Sequence, residues 1–147
     1  MPIKRHKALA PLSREHHHGL ILAQLIKKDA PDYKDLPKTI SDKVEYTIDI
    51  YKNELVKHFT NEEEILYPAV KNKSNEIDEL FEEIISEHKK IKQLVVQLEF
   101  SENKSDILNE LGILLETHIR KEERLLFEKI QNLLSDEELI QLEKKLS

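Results

Sequence analysis

Apolar residues recur every three or four positions along most of the chain, which is the spacing of amphipathic helices. The pattern predicts four long helices and a short C-terminal helix, separated by short polar segments. Their expected bounds are residues 11–29, 41–67, 76–99, 106–134 and 136–146. Four long helices with short connections predict an all-α fold, an up-down-up-down four-helix bundle with a short extra C-terminal helix. We expect residues 1–147 to form a single domain.

Prolines and capping residues support these bounds. Pro11 suits the first turn of a helix, where its missing N–H costs nothing, and Pro31 follows the apolar pattern of the first helix. Pro68 is expected to stop or bend the second helix. Ser135 and Glu138 have the spacing of a capping box, which predicts the start of the C-terminal helix.

Composition narrows the classes of function. The chain has only 2 Gly, which favours helices over turn-rich β folds, and its lack of Cys excludes disulfides, thiolate catalysis and cysteine-ligated metals. A net charge of -6 at pH 7 disfavours nucleic-acid binding, and we interpret the basic run of Lys4, Arg5 and Lys7 as a solvated N-terminal arm. Neither a signal peptide nor a membrane-spanning segment is visible, so we expect a cytoplasmic protein with no membrane partner.

An internal repeat relates the two halves of the chain. The segment from His58, HFTNEEEILY, parallels the segment from His118, HIRKEERLLF, with histidine, glutamate pair and aromatic residue in the same places. A weaker match joins the Glu-His pairs at 15–16 and 87–88. The sequence therefore uses one pair of helices twice.

The repeated residues have the spacing of metal ligands. Residues four apart on a helix share a face, so the histidine and the first glutamate of each HxxxE motif point the same way. The histidines of the first and third helices lie in apolar stripes and should also point inward. Imidazole and carboxylate without sulfur suit iron or manganese, with zinc as an alternative. The candidate ligands are His16, His58, Glu62, His88, His118 and Glu122.

The ordinary alternative is that these residues form surface ion pairs or hydrogen-bonded core histidines. Burying six such groups without partners would cost about 1–3 kcal/mol each. That sum rivals the roughly 5–15 kcal/mol by which a domain is stable. Because a bound cation removes the cost, the six residues together favour a metal site. Glu63 and Glu123 adjoin the motif glutamates and are candidate hydrogen-bond acceptors for the imidazoles.

These motifs resemble the hemerythrin-like, or HHE cation-binding, domain family. The resemblance lies in the order His, HxxxE, His, HxxxE and in the segments HFxxEExxLYP at 58–68 and HIxxEExxLF at 118–127, and it covers about residues 11–134. It implies a four-helix bundle with an oxo- or hydroxo-bridged non-haem di-iron centre. It also implies that the four histidines are terminal ligands and that Glu62 and Glu122 are bridging carboxylates.

Two positions depart from the oxygen-carrying hemerythrins. Those proteins have HxxxH on the third helix, where position 92 is Lys here, and HxxxxD on the fourth, where this chain has Glu122 and Glu123. One imidazole is therefore missing, and its place falls either to His17 or to water. A centre with one protein ligand fewer is open to exogenous molecules.

Three classes of function remain open. The site can bind or sense a small ligand such as O2, NO or peroxide, act as a di-iron oxidase or peroxidase, or serve iron storage, iron sensing or Fe–S repair. Ferritin-type sites use Glu-x-x-His on two helices, and here only Glu15 with His18 has that spacing. The lack of Cys disfavours Fe–S repair. Because no separate proton donor or substrate pocket is evident, we favour the binding module over an enzyme and assign no catalytic residue.

Overall fold

A computed structural model describes residues 4–147, which fold into five helices joined by short loops. No strand occurs within this part of the chain, so the all-α prediction is confirmed. None of its helices is both long and apolar enough to cross a bilayer. The helices are α1 (Ala10–Leu25), α2 (residues 40–70), α3 (Asn75–Phe100), α4 (residues 104–133) and α5 (Asp136–Leu146).

Side-chain caps begin three of the helices. The Thr39 hydroxyl accepts a hydrogen bond from the Asp42 N–H at 3.1 Å before α2, and the Ser74 hydroxyl accepts from the Ile77 N–H at 3.4 Å before α3. Such caps satisfy backbone donors that the first helical turn leaves free. The predicted capping box opens α5, with Ser135 and Glu138 bonded to each other's backbone N–H.

Two boundaries differ from the sequence prediction. α1 ends at Leu25 rather than near residue 29, and the chain then turns, with the Ala30 N–H donating to the Lys27 carbonyl at 3.2 Å. Pro68 does not end α2, which continues through Tyr67–Val70. Local pattern thus placed the helices correctly but missed where these two stop.

Three π-helical turns interrupt α2 and α4. They are Tyr51–Leu55 and Glu62–Leu66 in α2, and Glu122–Leu126 in α4. The last two begin at equivalent positions of the internal repeat, at the glutamate of each HxxxE motif. A π turn accommodates one extra residue within a helix and is frequent at functional sites. Both copies of the repeat therefore change from α-helical to π-helical hydrogen bonding at the motif glutamate.

Contacts between helices run in opposite order along the two partners. Residues early in one helix face residues late in the other in three pairs of helices. The contacts are His16–Glu123 (2.7 Å) and Gln24–Glu116 between α1 and α4, Glu15–His58 (3.0 Å) and His18–Glu54 (2.7 Å) between α1 and α2, and Glu76–Lys129 (2.6 Å) and Glu87–His118 (2.7 Å) between α3 and α4.

Two apolar clusters fill the interior and leave a polar layer between them. The first cluster includes Leu22, Leu55, Leu94 and Leu111, and the second includes Leu12, Leu66, Phe81 and Phe127. On each of the four long helices, buried histidine or glutamate lies between residues of the two clusters. The core thus isolates these polar groups from water on both sides.

The basic run at the N-terminus is solvated only at Lys4 and Lys7, which are exposed. For Arg5 the prediction of a solvated residue is wrong. The Arg5 side chain is 11% exposed and bonds both the backbone and the side chain of Glu123. The His6 N–H donates to the Gln131 side chain at 2.5 Å, and that amide donates back to the Lys4 carbonyl at 3.1 Å. The arm packs on α4 because a planar guanidinium can bond a carbonyl and a carboxylate at once.

Close approach of α1 and α4 yields a first prediction. A Cβ added at Gly112 would lie 2.8 Å from the Ala23 carbonyl oxygen, whereas one at Gly19 would meet only the end of the Ile119 side chain, also at 2.8 Å. We expect Gly112→Ala to lower the free energy of unfolding by about 1–3 kcal/mol, because the α1 backbone must move. Gly19→Ala should be near neutral, since the helix propensity gained, about 1 kcal/mol, offsets a small side-chain shift.

Denaturant unfolding of both variants in the metal-free state measures the difference. The two variants are matched, because each adds one methyl group to a buried helical glycine on the same interface. If Gly19→Ala lowered the free energy of unfolding as much as Gly112→Ala, the packing difference between the two glycines would be contradicted.

Candidate metal centre

The six predicted ligands lie together in the polar layer between the apolar clusters. α1 and α3 each supply one histidine, and α2 and α4 each supply a histidine and a glutamate. All are buried, with exposed fractions from 0% to 5%. They are His16, His58, Glu62, His88, His118 and Glu122.

The two HxxxE motifs have the same geometry. In each, the histidine Nε2 lies 3.5 Å from Oε1 of the glutamate one turn later, as the spacing predicts. Each glutamate also approaches a histidine from a neighbouring helix. The His16 Nε2 lies 2.9 Å from Glu122 Oε1, and the His88 Nε2 lies 3.2 Å from Glu62 Oε1.

Two groups of potential ligand atoms emerge from this arrangement. The first contains His16 and His58, the second contains His88 and His118, and both contain Glu62 and Glu122. Within each group the ligand atoms lie within 4.8 Å of one another. Because both carboxylates belong to both groups, they are placed where they can bridge two cations.

Unpaired polar atoms test whether this pocket suits a cation. Both oxygens of Glu62, Glu122 Oε2, and the Nε2 atoms of His88 and His118 are buried without a hydrogen-bond partner. The 3.2 Å contact between His88 and Glu62 is an ion-pair distance that lacks the angles of a hydrogen bond. Each such atom costs about 1–3 kcal/mol when left unpaired. A cation would satisfy them together, so the donor set fits a metal.

A second layer of glutamates surrounds the imidazoles. Each histidine directs Nε2 to the centre and donates Nδ1–H to a glutamate on a neighbouring helix. The pairs are His16–Glu123 (2.7 Å), His58–Glu15 (3.0 Å), His88–Glu63 (2.7 Å) and His118–Glu87 (2.7 Å). These outer carboxylates fix the rotation of each ring.

The outer carboxylates connect the helices in a closed ring. α1 supplies the glutamate for the histidine of α2, α2 for that of α3, α3 for that of α4, and α4 for that of α1. Sequence reasoning identified Glu63 and Glu123 as candidate acceptors but missed Glu15 and Glu87. The signal was present in the repeated Glu-His pairs at 15–16 and 87–88.

Neighbouring carboxylates raise the affinity of the imidazoles for protons. Burial by itself lowers the pKa of His16, but hydrogen bonds to Glu122 and Glu123 raise it to about 9. Burial also lowers the pKa of His58, but the charge of Glu62 and hydrogen bonds to several carboxylates raise it well above its ordinary value. Burial favours a neutral Glu122, yet the His118 charge and further hydrogen bonds hold its pKa well below the usual range. Glu122 therefore stays ionised beside the protonated imidazoles of His16 and His58.

The remaining candidates lie outside the centre. His17 is exposed and belongs to neither group of ligand atoms, and Lys92 is exposed on α3. His18 pairs with the exposed Glu54 at 2.7 Å, while Glu15 turns to His58, so the Glu-x-x-His spacing does not produce a shared site. Among the described residues, the centre is built from four histidines and two glutamates.

Comparison with known proteins identifies one family. The family model described as "Hemerythrin HHE cation binding domain" matches residues 7–130, a span that contains all six residues of the centre. No curated protein and no solved structure gives a match.

The raised histidine pKa values predict a pH-dependent metal affinity. Below pH 9 a cation must displace the proton held by His16, whose pKa is about 9, so affinity should rise with pH. Each displaced proton contributes about a tenfold change per pH unit. The same shift stabilises the metal-free fold fully below pH 6.5 and ceases to do so as pH rises through about 9.

Competition with a chelator at pH 7, 8 and 9 measures this slope. His16→Gln should show a shallower slope than the unmodified chain, since one displaced proton is removed. An affinity that does not change with pH would show that the imidazoles are unprotonated in the metal-free protein.

Proposed function

Because this chain belongs to the hemerythrin HHE cation-binding domain family, we propose that it is a non-haem di-iron protein that binds or senses O2, NO or peroxide. Its scaffold would be an up-down-up-down four-helix bundle in which residues 1–147 form one domain. The reversed order of contacts between α1 and α2, α1 and α4, and α3 and α4 supports this topology.

The sharing of Glu62 and Glu122 by both groups of ligand atoms carries the proposal. Each iron would be held by two imidazoles and by one oxygen from each bridging carboxylate. The first would bind His16 and His58, and the second His88 and His118. Nitrogen and oxygen ligands without sulfur suit iron, with manganese or zinc as alternatives. When bound, the metal pair supplies open coordination positions and redox chemistry for a small molecule.

A small cavity beside the centre supports a ligand of diatomic size. It has room for about one water-sized molecule, and its lining includes His16, His58, His118 and Glu122 of the centre together with Glu15. The rest of the lining is Gly19 and the apolar side chains of Leu55, Phe59, Leu115 and Ile119. The apolar part of this lining favours a small neutral molecule, because apolar side chains cannot replace the water around a charged ligand.

A surface pocket gives this cavity a route to solvent. The pocket lies between α1 and α2 and shares Glu15, Gly19, Leu55 and His58 with the inner cavity. A small molecule would pass along the face of α1 that carries Gly19, which both pockets share. The inner cavity has no space for an organic substrate, which favours a binding module over an oxidase of larger molecules.

Metal analysis joined to ligand binding tests the proposal. We expect two irons per chain after anaerobic loading, and a visible spectrum that changes on adding NO or O2 and reverts when the gas is removed. Sustained consumption of peroxide without a reversible bound form would favour the enzyme. Binding of manganese or zinc in preference to iron, or of no metal, would contradict the di-iron assignment.

A matched pair of histidine variants tests the ligand set. His118→Ala should abolish the metal-dependent rise in melting temperature, because it removes one imidazole of a shared centre. That rise corresponds to about 2.7 kcal/mol at a metal concentration 100 times the dissociation constant. His18→Ala is the control, since that exposed histidine lies outside both groups. Equal metal content and equal melting shifts in the two variants would exclude His118 as a ligand.

A further inference from the structure

Arg5 makes several contacts with residues next to the metal centre. It lies outside residues 7–130, the span matched by the family, yet its side chain is only 11% exposed. One guanidinium nitrogen donates to the Glu123 carbonyl oxygen at 2.6 Å and to Glu123 Oε2 at 2.9 Å. The arginine therefore holds both the backbone and the side chain of one residue of α4.

Glu123 connects this arginine to the metal centre. Its other carboxylate oxygen, Oε1, accepts the Nδ1–H of His16 at 2.7 Å. The Glu123 side chain is 27% exposed, so without a partner its carboxylate could rotate towards water. Arg5 fixes that carboxylate in the orientation that accepts from His16.

Phe127 forms a second connection between the same two residues. The Arg5 guanidinium carbon lies 5.4 Å from the centre of the Phe127 ring, within the range of a cation–π contact. The Phe127 ring also stacks on the His16 imidazole, with ring centroids 5.5 Å apart and planes 8° from parallel. Arg5 thus contacts two of the groups that orient His16.

The arm is itself fixed to α4. Gln131 accepts the His6 N–H at 2.5 Å and an Arg5 guanidinium N–H at 3.4 Å, and it donates to the Lys4 carbonyl at 3.1 Å. Glu128 lies 3.8 Å from the Arg5 guanidinium. The backbone of Lys4 and His6 and the side chain of Arg5 are therefore all bonded to α4.

The other three outer carboxylates form no ion pair with an arginine among the described residues. Glu87 is contacted by Lys121 at 2.6 Å, but Glu15 and Glu63 have no lysine or arginine within 4.0 Å among the described residues. From these contacts we propose that Arg5 is a positioning residue for the His16 half of the metal centre, acting through Glu123 and Phe127. The inference rests on the proposed di-metal function and extends the site to a residue outside the family match.

Arg5→Gln tests the inference, with Lys7→Gln as its matched control. Both variants remove one positive charge from the same arm, but Lys7 is exposed and makes no ion pair among the described residues. Loss of an outer partner of a metal-bound histidine commonly lowers metal affinity about 10–100-fold. We expect Arg5→Gln to weaken binding of one of the two ions by about tenfold and to speed its loss to a chelator. Lys7→Gln should leave both ions unchanged.

A double-mutant cycle separates positioning from general destabilisation. If Arg5 acts through Glu123, most of the effect of Arg5→Gln on metal affinity should disappear in a Glu123→Gln background. A second readout is the hydrogen exchange of the His16 Nδ1–H in metal-free protein, assigned by its loss in His16→Gln. We expect faster exchange in Arg5→Gln than in Lys7→Gln, because the acceptor is no longer held.

The outcomes distinguish this inference from the proposed function. Equal metal affinity in Arg5→Gln and the unmodified chain, or fully additive effects in the cycle, would overturn the role of Arg5 alone. Absence of metal binding by the unmodified chain would overturn the proposed function and this role together.

Discussion

Two fully buried carboxylates, Glu62 and Glu122, impose the main constraint on this protein. An ionised carboxylate in an apolar interior is costly unless positive charge lies beside it. Imidazoles provide that charge as protons in the metal-free protein, because the pKa values of His16, His58 and His88 are raised. The same nitrogen atoms are the ones that a cation would use. Protons on the imidazoles and a bound cation are therefore two ways of supplying the positive charge that the buried carboxylates need. The apolar clusters on both sides exclude the water that would otherwise solvate these carboxylates.

The π turns show how the helices accommodate this layer. Two of the three begin at Glu62 and at Glu122, where α2 and α4 pass from the first apolar cluster to the second. An extra residue in the turn changes which face the following side chains present. Glu62 and Glu122 lie in the centre, and Leu66 and Leu126, four residues later, lie in the apolar core. The internal repeat thus preserves a backbone irregularity as well as a set of side chains.

Sequence reasoning succeeded where the physics is local. Apolar periodicity gave the five helices, and the i,i+4 rule brought each motif histidine close to its glutamate, because both depend only on helix geometry. It failed where the answer depends on neighbours distant in sequence. Periodicity contains no information on hydrogen-bond register, so the π turns were missed. Glu15 and Glu87 can be assigned as acceptors for His58 and His118 only when it is known which helices are adjacent. The sequence predicts a solvated Arg5 because its acceptor on α4 is more than a hundred residues away along the chain.

The ring of outer carboxylates has a consequence for how the protein matures. His16 is the first of the six central residues along the chain, and its two carboxylate partners lie 106 and 107 positions later. Closing so long a loop is an entropic cost that must be met before either contact forms. A chain emerging from the ribosome therefore cannot assemble an oriented His16 until α4 has been synthesised. Capture of a cation by the complete centre would then be a late step of maturation, possible only after α1 and α4 have packed together.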